Sequence, residues 1–225
     1  QAAGQMDLAA DVIVADYMEF RAALNSIKPY LERASYDYYD PHLDETQREE
    51  KLQQLSLLQV PTGLPDEFRF YLEGALAYYR QNHEAALLNW KAVLALPESA
   101  RKFRSVMAAY MIAKACPQAA PEYFPQVRVL VDAGYVDQQG LAAASYGNEA
   151  RHYLDQHQHQ KAIELYLKQW ASGYGNAGRS LYIVAQEIWR SAYGAQLIPL
   201  VENDHARALL TAYLLTQTED PEAET

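Results

Sequence analysis

Three histidines, His152, His157 and His159, crowd one short stretch of the chain. Zinc-binding imidazoles on a helix usually stand four residues apart, as in HExxH, because that spacing puts both rings on one face. No pair here has that spacing, so His157-Gln158-His159-Gln160 reads as a solvated turn. Gly173-Tyr174-Gly175-Asn176-Ala177-Gly178 matches GxGxxG and precedes a helical pattern. A dinucleotide loop follows a strand, however, and here the preceding Trp170-Ala171-Ser172 ends a helical pattern, so the glycines read as an interhelical turn. Asp37, Asp40, His42 and Asp44 could gather oxygens around a hard cation, but they lack the glycine and terminal glutamate of an EF-hand loop. They read as a polar connector, with Asp44 as a helix cap. Cys116 has no histidine partner in sequence and reads as an inert thiol. No carboxylate pair stands in a context that would separate two pKa values. The sequence therefore assigns no catalytic residue, no metal and no cofactor.

Composition narrows the class. Of 225 residues half are hydrophobic, enough to bury a core and too many for a disordered chain. The formal charge of −10 disfavours nucleic acid, whose binding rests on lysine and arginine neutralising phosphates, and disfavours anionic lipid surfaces. No apolar run approaches the roughly 20 residues of a membrane span. A lone cysteine gives no disulfide framework. The chain opens on Gln1 rather than methionine and reads as a processed product or an excised fragment.

Apolar periodicity predicts roughly ten helices and no sheet. The first covers residues 7–25 and breaks at Lys28-Pro29. A tyrosine-rich acidic connector, Ser35 to Pro41, leads to a helix over 44–59 with Leu52, Leu55 and Leu58 as its apolar stripe. Pro65-Asp66-Glu67 opens a helix running to 81, since proline and acids suit a first turn. Asn82 turns the chain into a helix over 83–96, and Pro97-Glu98-Ser99 opens another that ends at 115. A helix over 120–133, with Pro125 in its first turns, closes on Gly134 as a left-handed cap. Further helices cover 139–156, 159–172, 177–192 and 204–217. Residues 1–217 form one helical domain, and 218–225 an acidic frayed tail.

Two segments align at an offset of 76 residues: Gly74 with Ala150, Asn82-His83 with Gln158-His159, Ala86 with Ala162, and Trp90 with Tyr166. Two helices that pack closely need small residues on their facing sides, and an aromatic one turn further fills the gap beyond. The stretch from Phe70 to Tyr79 and on through Trp90 to Pro97 resembles a tetratricopeptide repeat. Gly74 or Ala75 matches its small helix-A residue and Tyr78 the aromatic that follows. Ala86, Trp90 and Val93 match the small–large–small series of helix B, and Pro97 the terminal proline. Ala150, Tyr153, Ala162 and Tyr166 carry a second, weaker copy. The clearest repeat spans 65–115 and the second copy 148–192. The run from Leu96 to Met111 is similar to uncharacterised bacterial proteins with such repeats, some of them exported, which implies a periplasmic or exported location.

That resemblance implies an all-α fold of stacked antiparallel helix hairpins, a short superhelical solenoid binding a protein or peptide. The first helix of each pair lines the groove in such repeats, which makes Arg69, Tyr79 and Arg80 the candidate partner-binding residues. Tyr78 and Tyr79 are adjacent and cannot both face the core. Tyr71, Tyr78, Tyr79 and Trp90 crowd one hairpin and Tyr182 and Trp189 another, and most of these aromatics are expected inside. The competing expectation is a helical domain beside an enzyme that takes a small or glycan ligand in a tyrosine-rich pocket.

Overall fold

A computed structural model describes residues 2–32, 45–174, 177–191 and 201–218. Among these the chain is all-helical, with ten α-helices and no strand. The connector from Ser35 to Pro41, the acidic set Asp37, Asp40, His42 and Asp44, the pair Gly175-Asn176, and residues 219–225 lie outside the described residues. The chain divides into two compact units, Gln1–Ala108 and Ala109–Thr225.

The first unit holds α1 (Ala2–Glu32), α2 (Glu45–Leu57), α3 (Asp66–Tyr79) and α4 (His83–Ala95), and the boundary falls inside α5 (Ser105–Ala115). Helix α1 does not stop at Lys28-Pro29. Proline there removes one backbone bond from the last turn, while Ile27 and Leu31 on either side stay packed in the core. Phe20, Leu24 and Ile27, spaced to share one face, cluster with Leu55 of α2 and with Leu72 and Leu76 of α3. Of the expected α2 stripe only Leu55 is buried. Leu52 is 41% exposed and Leu58 lies beyond the helix, because residues three apart drift about 60° round the helix at each step.

The segment after Pro97 forms only a 3-10 turn at Glu98–Ala100, and α5 begins at Ser105. The buried Glu67 carboxylate accepts the backbone N–H groups of Phe103 and Arg104 at 2.9 and 3.0 Å, satisfying donors just ahead of α5. An acid expected to favour its own helix thus serves another.

The second unit holds α6 (Ala120–Asp132), α7 (Leu141–Asp155), α8 (His159–Ala171), α9 (Ala177–Ser191) and α10 (Asp204–Thr218). Pro125 sits inside α6 without ending it, and Gly134 caps that helix at φ +81°. Both carboxylate oxygens of Asp137 accept N–H groups at the start of α7, from Leu141 and Ala142. One core joins Ala150 and Leu154 of α7, Ala162, Ile163 and Tyr166 of α8, Leu181, Val184, Ala185 and Ile188 of α9, and Ala206, Leu210 and Tyr213 of α10.

The two hairpins, α3–α4 and α7–α8, close their turns in the same way. Gln81 and His157, 76 residues apart, take positive φ of 63° and 58°. Asn82 N–H reaches Ala77 O, and Gln158 N–H reaches Tyr153 O, each at 2.9 Å. These are Schellman closures made without glycine. Ala86 and Ala162 are both fully buried at the helix contacts, with Trp90 and Tyr166 buried one turn on. Trp90 Nε1 donates to Tyr71 O at 3.3 Å and lies against Gly74.

Candidate functional site

The three residues expected to line a groove on α3 are otherwise engaged. Arg80 is a structural clamp: its guanidinium donates to the carbonyls of Leu55, Ser56 and Leu58 at 2.6–3.2 Å, covering the unpaired C-terminal end of α2. Tyr79 is half-buried in the α1–α3 core with Lys28 Nζ 5.6 Å from its ring centre, while Tyr78 turns to the other side, against Trp90. Arg69 pairs with Asp66 at 2.7 Å and Glu73 at 3.3 Å and stacks on Phe70. For Tyr79 the neighbouring helix is α1. Its Phe20, Leu24 and Ile27 share a core with Leu72 and Leu76 of α3, so that face is already covered.

In the second unit the matching positions on α7 carry polar side chains. Residues 76 positions after the buried Leu72 and Ala75 are Asn148 and Arg151, which are polar and partly or fully exposed. They border a cleft of about 320 Å³, also lined by Tyr110, Tyr166, Gln169, Tyr174, Ser180 and Ile183. Asn148 is fixed by two bonds from Nδ2, to Tyr110 Oη and Ala144 O, both 2.9 Å. The side chain of Gln169 packs against Gly147, where a Cβ would collide with it. Arg151 holds Asp155 at 2.8 Å on the exposed rim. Burial pushes the Tyr110 phenol above its usual pKa, with neighbouring Tyr174 adding to the effect. Burial likewise raises Tyr166, against the pull of Arg151. Both phenols are therefore neutral O–H groups at ordinary pH. Such a cleft can hold an apolar or aromatic group against tyrosine faces while amides and a guanidinium fix polar atoms.

Helix α7 is also tied to α6. Arg128 of α6 donates to Glu149 at 2.7 Å and to Ser145 at 2.9 Å, with side chains only 16% and 7% exposed for the ion pair, and its guanidinium lies over Tyr146.

The histidines are arranged differently from the sequence reading. His157 and His159 meet Glu187 of α9, and one donor atom from each lies within 4.8 Å of the others. His152 is not part of that group; its ring nitrogen faces Gln156 at 2.9 Å. Burial lowers the His159 pKa, with Glu187 opposing and His157 adding to the effect. Cys116 Sγ points to Gln118 Oε1 at 3.5 Å. Tyr182 and Trp189 are 44% and 48% exposed rather than interior, because on α9 the core positions go to Leu181, Val184, Ala185 and Ile188.

Tyr110, Asn148, Arg151 and Tyr174 were not singled out by sequence. The signal was present in the repeat itself: polar residues stand in the second copy where the first carries Leu72 and Ala75. Comparison with protein-family models, with curated proteins and with solved structures finds no match to this chain.

Proposed function

We propose that this protein is a non-catalytic helical-repeat scaffold that binds an extended segment of a protein or peptide partner in the cleft on α7. The observation that carries the reading is the contrast between the two hairpins. The α3 face bearing Leu72 is packed against α1, while the matching α7 face offers Asn148 and Arg151 to a tyrosine-lined cleft. Tyr110 and Tyr174 supply aromatic anchors, and Asn148, Gln169 and Arg151 supply hydrogen bonds to a peptide backbone or carboxylate. The resemblance to tetratricopeptide repeats supports the finer reading, in which these hairpins belong to a short superhelix that recognises peptides and serves a larger bacterial protein, exported or periplasmic.

The test removes the two polar side chains of α7. Peptides selected from a random library against the protein are measured by fluorescence polarisation on wild type and on Asn148→Leu/Arg151→Ala. We expect binding at least tenfold weaker with an unchanged melting temperature. Equal affinities would place the binding surface elsewhere. A second reading, a small or glycan ligand, draws on the cleft's volume of about 320 Å³, near the lower end for ligand pockets, about 300–1,000 Å³. Saturable binding of a sugar that displaces no peptide would favour it.

A further inference from the structure

We propose that His157, His159 and Glu187 form a site for a divalent transition-metal cation, zinc in the first instance. Two imidazoles and one carboxylate are a zinc ligand set, with water completing a tetrahedron. The elements that carry them are held firmly. The Schellman turn fixes His157 at φ 58°, with its N–H on Leu154 O at 2.8 Å; His159 is the first residue of α8; Glu187 stands on α9.

The independent pointer to a ligand is His159 Nε2. That atom is buried and has no hydrogen-bond partner, while Glu187 Oε1 is 3.9 Å away, beyond hydrogen-bond reach. Buried polar atoms in folded proteins almost always have a partner, and an exception calls for an ion or water. Zinc bonds of about 2.0–2.1 Å set tetrahedral donors about 3.3 Å apart. The pair His159–Glu187 must therefore close slightly, and His157, exposed on its turn, must swing in by side-chain rotation. The Glu187 carboxylate offsets the positive end of α8 that faces the cation. A bound ion ties the α7–α8 turn to α9.

The first hairpin provides an internal control. His83 occupies the position matching His159, but Gln81 replaces His157. The experiment uses the full chain, stripped with EDTA, and titrates ZnCl2 by calorimetry and by thermal shift. Expected are one high-affinity equivalent, a saturable rise in melting temperature, and at least tenfold weaker binding in both His157→Ala and Glu187→Gln. Those two positions are exposed or half-buried, so the fold survives the changes. His83→Ala should bind as wild type does. No saturable zinc binding, or unchanged affinity in the His157 and Glu187 variants, would overturn the site.

Discussion

Gly74→Ala probes how closely α3 and α4 approach. A Cβ built on Gly74 lies 2.5 Å from Trp90 Nε1 and 2.6 Å from Cδ1, about 0.9 Å short of ordinary contact at 3.4 Å. The indole cannot yield easily, since Trp90 is wholly buried and its N–H is committed to Tyr71 O. Overpacking of this kind costs about 1–3 kcal/mol. Disturbing the indole hydrogen bond adds about 1 kcal/mol, and alanine's better helix propensity returns about 1 kcal/mol. The net expectation is a loss of about 1–3 kcal/mol, read as a fall in the urea midpoint. At about 2–4 °C per kcal/mol for a chain of this size, the melting temperature falls measurably. Repeating the change in a Trp90→Leu background removes the collision, so Gly74→Ala should become neutral or stabilising there. A stabilising Gly74→Ala in the wild-type background would refute the close packing on which the repeat alignment rests.

Arg80→Ala should lower stability by about 1 kcal/mol, the value of charge-assisted carbonyl bonds discounted for an exposed site. Arg80→Lys should not rescue it, since a point cation cannot fork across the carbonyls of Leu55, Ser56 and Leu58; chemical denaturation of both variants decides. Glu149→Ala leaves Arg128 buried without its carboxylate and should cost about 3–5 kcal/mol. The double change Arg128→Met/Glu149→Leu should recover most of that loss in the same assay, as an apolar pair of similar volume fits the space.

Helical periodicity and the caps at Asn82 and Gly134 made most elements legible, because they depend on neighbours in sequence. Two boundaries did not follow local rules. Proline at position 29 signals a stop, but burial of Ile27 and Leu31 carries α1 beyond it. Pro97-Glu98-Ser99 signals a start, but α5 begins later, where Glu67 from α3 supplies the acceptor. The small–aromatic spacing located the hairpin contacts at Ala86, Trp90, Ala162 and Tyr166. It could not show that Leu72 and Leu76 share a core with α1, which is far away in sequence. The place of Glu187 beside His157 and His159 escaped for the same reason. This third member comes from the next helix rather than from helical spacing within one.

The central claim is that the α7 cleft receives the partner. Amide chemical-shift mapping of a selected peptide on the isotopically labelled protein tests it most directly. The account predicts the largest shifts at Tyr110, Asn148, Arg151, Tyr174 and Ile183, with Arg69 and Tyr79 of α3 unmoved. Shifts centred on α3, or spread over exposed Trp170 and Trp189 and absent from the cleft, would contradict it.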